Sequence, residues 1–345
     1  MFVTIREVAQ EAGVSIATAS RALSGRRPVL EAHQRAVLEA SDRLGYRANT
    51  AARSLRTRTT GTVGMVVPRI SNPYFPLLVE AVERQLSATG RELLLCDSQN
   101  DIGIEAARVT ALLDRRVDGL LFIGCHRRAS AAIVKKAQAQ VPVVEMDRYV
   151  DGEEVDFVGV DHEAGIVAVI EHLRDTGRRT SVFVSSETVD SSALLRLRAY
   201  RKTMRKVDAE SARHVLLGDY SLEWGRQAVE SLIEEGPLPD SIICGNDIIA
   251  LGVIAALREA RLAVPTDVAV TGFDDIPFAA ISTPPLTTLR QPADEIGAEA
   301  VQMLQRRLEG SDEQPAHVTL RPELLVRGST VAQAQPRQAS STTRC

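Results

Sequence analysis

The chain has 345 residues, 44% apolar and 25% charged, with a net charge of −4. That length holds two or three domains with sizeable cores, the apolar runs are too short to span a bilayer, and no signal-peptide pattern opens the chain. The charge is unevenly placed: residues 1–60 carry ten Arg against five acids, the remainder 31 basic against 40 acidic residues, a basic head on an acidic body that directs a polyanion to one end.

Taken in order, Thr4 followed by Glu7 is a capping box that opens a helix at Ile5. Ile5, Val8, Ala9 and Ala12 recur at helical spacing and form its buried face. Gly13 supplies a tight turn, and Ser15 caps a second helix from Ile16 to Leu23. Ala9, Ala12, Val14, Ala19 and Leu23 are small enough for two helices to cross closely, which leaves Ile16, Ala17, Ser20 and Arg21 facing outward. The pattern is a helix-turn-helix whose second helix enters the DNA major groove. After the basic turn Gly25-Arg26-Arg27-Pro28, a third helix is expected over about 29–44, with Val37, Leu38 and Leu44 facing the first two and Gly45 ending it. Arg26, Arg27, Arg35 and Arg47 are candidate phosphate contacts, with solvated surface charge as the alternative. Residues 48–59 form a short helical patch, marginal alone in water, before a Thr-rich linker.

From Thr62 the rhythm changes. Apolar strands are expected at 63–67, 93–96, 119–123, 141–146, 157–160, 182–185, 214–217, 242–244 and 268–271, most of them separated by helical segments. Continuous apolar strands alternating with helices predict parallel sheets covered on both faces. The count exceeds one sheet, so two Rossmann-like halves are expected. Gly61-Thr62-Val63-Gly64 opens a strand instead of closing one, and no dinucleotide fingerprint, Walker A, G-x-S-x-G or H-E-x-x-H motif occurs. Cys96, Cys125, Cys244 and Cys345 lack C-x-x-C spacing and the six histidines form no ligand-spaced pair. Free thiols in a reducing cytoplasm are expected, with no metal, cofactor or catalytic centre. Residues 329–345, rich in Gln, Ala, Ser and Thr, are expected to be a disordered tail.

The turn Ala12-Gly13-Val14-Ser15 and the Thr18-x-Ser20-Arg21 run on the second helix resemble the signature of the lactose-repressor (LacI/GalR) family of bacterial transcriptional regulators. The resemblance continues to about Gly328. It implies an α/β chain with a helix-turn-helix domain at 1–47, a hinge helix and linker at 48–60, and a ligand-binding and dimerisation domain at 61–328. That domain looks like a two-lobed periplasmic sugar-binding protein, with an N-lobe of about 61–160 and 292–320 and a C-lobe of about 161–290 and 321–328. The chain is expected to cross between lobes near 160, 290 and 320. The family's DNA-contacting positions fall on Thr4, Ser15, Ile16, Ala17, Thr18, Ser20, Arg21, Asn49, Leu55 and Arg56. Leu55 aligns with a residue that wedges into the minor groove, an apolar device that kinks DNA. Ala48 departs from the family, which usually has Pro there. The tail lacks the leucine heptads that tetramerise some members, which favours a dimer.

In such a body, ligands bind where strand carboxyl ends from both lobes face each other. The polar and aromatic residues at those ends are Asn72, Tyr74, Phe75, Asp147, Arg148, Arg196, Tyr220, Asn246, Asp274 and Gln291. Most match ligand positions of ribose-type binding proteins, with Tyr74 and Tyr220 in place of Phe. Carboxylates beside Arg and Asn suit vicinal hydroxyls, which donate and accept together, and the aromatic rings suit the C–H face of a sugar ring. The structural alternative is a turn at Asn72 and helix caps at Asp147 and Asn246, with Asp247 and Asp275 structural. Asp274-Asp275 lacks a nearby nucleophile for acid–base catalysis. The expected function is a cytoplasmic, nucleoid-associated homodimeric repressor on a near-palindromic operator, controlled by a small sugar. The alternatives are a purine or nucleoside effector, or a sugar-processing enzyme with a DNA-binding head.

Overall fold

A computed structural model describes residues 3–24, 28–46, 59–152 and 154–331. The expected hinge with Asn49, Leu55 and Arg56, the arginines Arg26, Arg27 and Arg47, and residues 332–345 lie outside them. The chain divides into two units, Met1–Thr60 and Gly61–Cys345.

The first unit is built from α1 (Ile5–Glu11), α2 (Ile16–Ser24) and α3 (Glu31–Leu44). Glu7 accepts from the backbone N–H and the hydroxyl of Thr4 at 2.7 and 2.9 Å, so the chain start and the first turn hold each other. Gly13 turns with φ +64 and Ser15 Oγ accepts from Thr18 N at 3.1 Å, capping α2. Val8, Ala9, Ala19, Ala22, Val37 and Ala40 form the buried core. Alanines dominate it because the helices cross too closely for larger side chains. Leu38 departs from expectation: it is 46% exposed, and Ala40 and Ser41 take the inner face with Val37. The helix is rotated so that its smaller side chains meet α1 and α2. Gly45, at φ +65, ends α3.

The second unit contains two six-stranded sheets. The first sheet takes β1 (Thr62–Val67), β2 (Glu92–Asp97), β3 (Gly119–Phe122), β4 (Val143–Met146) and β5 (Asp156–Val160). The intervening helices are α4 (Tyr74–Ala88), α5 (Ile102–Asp114) and α6 (Ala131–Gln138). The second sheet takes β6 (Ser181–Ser186), β7 (Val215–Gly218), β8 (Ser241–Cys244), β9 (Ala269–Asp274) and β10 (Thr287–Arg290). Its helices are α7 (His162–Asp175), α8 (Ser191–Val207), α9 (Leu222–Glu235), α10 (Asp247–Glu259) and α11 (Pro277–Ile281). Then α12 (Ala293–Leu308) returns to the first sheet, β11 (His317–Leu320) joins its edge, and β12 (Glu323–Leu325) joins the second. Strand order is β11-β5-β4-β3-β1-β2 in one and β12-β10-β9-β8-β6-β7 in the other. The chain therefore passes between lobes three times: from β5 to α7, from β10 to α12, and from β11 to β12.

All pairs are parallel except β10 with β12. Central strands such as β3, β4 and β8 are buried throughout, as runs of apolar residues covered by helices on both faces must be. β2 differs: as an edge strand it leaves Leu94 and Leu95 more than a third exposed. On the second lobe α9 and α10 pack backbone to backbone at Gly225 and Gly252. A Cβ on Gly225 would stand 2.2 Å from the Ile249 carbonyl oxygen. The body begins at a fixed point, since Gly61 N donates to Asp118 Oδ2 at 2.9 Å and Gly61 O accepts from Glu92 N at 2.8 Å. Arg91 pairs with the same Asp118 carboxylate at 2.9 Å.

The expected disorder from 329 onward is corrected at its start. Ser329 and Thr330 are buried, Ser329 Oγ donates to Val270 O at 2.6 Å, and Thr330 Oγ1 meets His172 Nε2 at 2.8 Å. Their hydroxyls satisfy polar groups of β9 and α7, something composition does not reveal.

Candidate functional site

On α2, Ile16, Ala17 and Arg21 are exposed, and Thr18 and Ser20 are half-buried. The helix thus presents a short mixed face of apolar and hydroxyl side chains with one long cationic donor, while Ala19 and Ala22 anchor it. Arg21 Nε donates to Ala17 O at 3.2 Å, which lays its stem along the helix. Thr4 and Ser15 sit at the starts of α1 and α2, where the Thr4 N–H is taken by Glu7 and the Thr18 N–H by Ser15.

In the second unit, strand ends from both sheets meet around a narrow cleft. It is lined by Asn72, Tyr74, Phe75, Asp147, Arg148, Arg196, Tyr220, Asn246 and Asp274, all expected from the sequence, and by Ser192, which was not. Ser192 follows Asp190, the N-cap of α8, and read from sequence it is only part of a capping run. Its Oγ donates to Asp147 O at 3.0 Å. Together with Tyr149 N donating to Ser191 Oγ and Arg127 N to Val189 O, both at 2.9 Å, it stitches the lobes together beside the cavity. Gln291 lies behind the lining. Its Oε1 accepts from the Tyr74 hydroxyl at 3.0 Å and its Nε2 donates to Asp274 Oδ1 at 2.7 Å.

Local structure and site coincide at several of these residues. Asn246 Oδ1 caps α10 by accepting from Ile249 N at 2.9 Å, and Asn72 Oδ1 accepts from Tyr74 N at 3.2 Å. The capping alternative is thus real, yet it uses only one end of the Asn246 amide. Asn246 Nδ2 and Asp147 Oδ1 are buried with no hydrogen-bond partner among the described residues. They are a donor from one lobe and an acceptor from the other, and such atoms are costly to leave unmatched. Asp247 and Asp275 are structural. Asp247 accepts from Thr288 Oγ1 and Ile276 N, and Asp275 pairs with Arg290 and Arg327.

Charge is concentrated here. Arg148 lies 3.5 Å from Asp147 and 3.7 Å from Asp190, with Phe75 and Tyr220 rings each 5.6 Å from its guanidinium carbon. Arg196 stacks 3.7 Å over Phe273, donates to Gly245 O at 2.6 Å, and stands 3.7 Å from Asp274. Burial pushes the Asp147 carboxyl up despite both arginines. It pushes Asp274 up to about 7, with Arg196 opposing and Asp147 adding to the rise. The backbone is strained at the same place: Asp147, Asp274 and Asp275 have φ of 60, 120 and 54. Each such residue costs about 1–3 kcal/mol and is retained where the surroundings fix it. No group of three or more metal-ligating side chains occurs among the described residues, and no described helix is long and apolar enough to cross a membrane.

A helical head of this kind followed by two doubly wound lobes around a polar cleft defines a regulator with a periplasmic-binding-type body. Residues 4–49 match the family model described as bacterial regulatory proteins, lacI family, and residues 170–330 match a periplasmic binding protein-like domain. The chain is 33% identical over 327 residues to the ribose operon repressor of Escherichia coli K12, covering 94% of this chain and 99% of that one. It is 32% identical over 329 residues to the HTH-type transcriptional repressor PurR of Pasteurella multocida, covering 94% and 98%. The lac repressor dimer bound to operator and the anti-inducer ONPF superposes with a TM-score of 0.86 at 25% identity, over 96% of this chain and 100% of that one. A complex of the transcriptional regulator CelR with cellobiose gives 0.72 at 29% identity, over 95% and 99%. The chain belongs to the lacI family of bacterial transcriptional regulators.

Proposed function

We propose that this protein is a cytoplasmic homodimeric repressor whose affinity for a near-palindromic operator is set by a small sugar held between the lobes. The observation that carries the sugar is the cavity between the lobes, where Asp147, Arg148, Arg196, Asn246 and Asp274 converge with Asp147 Oδ1 and Asn246 Nδ2 unmatched. A hydroxyl both donates and accepts, so vicinal hydroxyls suit a wall of alternating carboxylates and cations. Apolar surface at Leu94 and Leu95 and at Phe278 and Ile281 supports a second copy as partner.

In this reading α2 enters the major groove, and Ile16, Ala17, Ser20 and Arg21 face base edges. Sugar hydroxyls bridge Asp147 and Arg148 of one lobe to Arg196, Asn246 and Asp274 of the other, and Phe75 and Tyr220 cover the ring. Bridging changes the angle between lobes and hence the spacing of the two heads across the dimer. The coupling is reciprocal, so operator DNA alters sugar affinity by the same factor. Asn49, Leu55 and Arg56 are proposed to extend the DNA contact into the minor groove.

The test is a thermal-shift panel of aldoses, ketoses, polyols and purines, followed by operator titration. A sugar at about 100-fold its dissociation constant adds about 2.7 kcal/mol of stability and changes operator affinity. Arg196→Ala and Asp274→Asn lose that response and keep ligand-free operator binding. Stabilisation by a purine with none by any sugar overturns the effector, and turnover of a sugar overturns the regulator without catalysis.

A further inference from the structure

His162 is the first residue of α7, directly after the first passage between lobes. It is only 4% exposed, and its ring lies 5.6 Å from that of Phe273. Nδ1 meets Arg196 Nε at 3.3 Å. An arginine Nε always carries its proton, so Nδ1 is the acceptor and the imidazole proton sits on Nε2. Burial, and then the charges of Arg196 and Arg148, hold its pKa well below the ordinary histidine value, so the acceptor form is the one present.

The guanidinium of Arg196 is thus fixed on four sides. Nε is held by His162, one terminal nitrogen by Gly245 O, the flat face by Phe273, and the other terminal nitrogen is directed at Asp274. The bond to His162 is the one made at Nε, where the planar guanidinium joins its stem, and it adds to the terminal contacts in fixing rotation about the end of the side chain. Beyond Asp274 the chain of contacts continues through Gln291, which follows β10 at the second passage, to Tyr74 in the first lobe. Residues at two of the three passages therefore abut the same clamp.

We propose that His162 is a positioning residue for effector binding, its Nδ1 aiming the Arg196 guanidinium into the cleft from the first lobe passage. This rests on the reading of the cavity as the effector site, and it concerns a residue that does not line that cavity.

The experiment compares His162→Asn, whose side-chain oxygen replaces Nδ1, with His162→Phe, which keeps a ring against Phe273 and removes the acceptor. The first readout needs no effector: the Nε–H signal of Arg196 in arginine-15N-labelled protein, identified by its loss in Arg196→Lys. It is expected to be slow to exchange in the parent and in His162→Asn, and fast in His162→Phe. The second is calorimetric titration with D-ribose, expected to weaken about tenfold in His162→Phe, as loss of a hydrogen bond to a charged group implies, and to recover in His162→Asn. A fast-exchanging Nε–H in the parent overturns the proposal, even if His162→Phe does not fold. So does an asparagine variant that behaves like the phenylalanine one. If D-ribose fails to bind the parent while Nε–H is protected as expected, the positioning stands and the choice of sugar fails.

Discussion

Gln291 and Asp274 are joined by a 2.7 Å hydrogen bond in which the amide donates to the carboxylate. The other end of the Gln291 amide accepts from Tyr74, so a residue of α4 in the first lobe is tied to the end of β9 in the second. All three side chains are nearly inaccessible. Tyr74→Phe strips one donor and leaves Gln291 Oε1 buried and unmatched. A loss of about 1–3 kcal/mol in chemical denaturation is expected, with little change in Gln291→Leu/Tyr74→Phe beyond the glutamine variant alone. Additive losses in that double variant would show that the two side chains act independently.

The Asp274 carboxyl, raised to about 7 by burial, makes stability depend on pH. A carboxyl whose folded pKa exceeds its unfolded value favours the fold when protonated. That stabilisation is complete below about pH 4 and is lost as pH rises through about 7. Asp147 and Asp247 are raised by burial as well and act in the same direction. Thermal melts between about pH 5 and 8 should therefore fall with pH in the parent and be flatter in Asp274→Asn. An equal slope in both would move the titration elsewhere.

A ligand hydroxyl donating to ionised Asp274 favours the deprotonated form, so binding releases a proton. Sugar affinity should rise with pH up to about 7 and level off above it, with the slope lost in Asp274→Asn. Calorimetry at about pH 6 in buffers of different ionisation enthalpy counts the proton directly. Proton uptake would mean that the bound acid donates.

Arg21 is exposed on the outer face of α2 with its stem held along the helix. Arg21→Ala should weaken operator binding by about 1–3 kcal/mol through loss of a bidentate guanine contact. Random DNA should be affected much less. Fluorescence anisotropy at fixed salt separates the cases, and equal losses would make Arg21 a phosphate contact.

The crossing of α9 and α10 leaves no room for a methyl group. A Cβ on Gly225 stands 2.2 Å from one backbone atom, and one on Gly252 stands 2.1 Å from Leu222 O. Backbone cannot yield as a side-chain tip does, so Gly225→Ala should destabilise the protein by about 1–3 kcal/mol or more despite alanine's better helix propensity. A melting temperature at or above the parent's would mean that the helices slide apart freely.

The strand-and-helix alternation is readable because central parallel strands are continuous apolar runs, and several of them run into a polar residue at the carboxyl end. Asp147 after β4, Asn246 after β8 and Asp274 closing β9 come together for that reason alone. The strands β10, β11 and β12 were missed. They are three or four residues long and mix Thr, Arg, His and Glu with apolar residues, too short for even the His-Val-Thr-Leu alternation of β11 to announce a strand. Ser192 and His162 escaped for a different reason. One looks like a cap and the other like a helix start; only the meeting of the lobes gives Ser192 its neighbour, and only the packing of α7 against α8 gives His162 its own. Leu38 shows the limit of periodicity in a small helical unit, where the fit of alanines outweighs the burial of one leucine.

The anchoring of Gly61 by Asp118 and Glu92 has a mechanical meaning. The head is continuous in sequence with the first sheet alone, while the last described residues are pinned to the second. Arg91 and Asp118 fix where the first sheet begins, so softening them would loosen the start of β1 without altering what the cleft can hold.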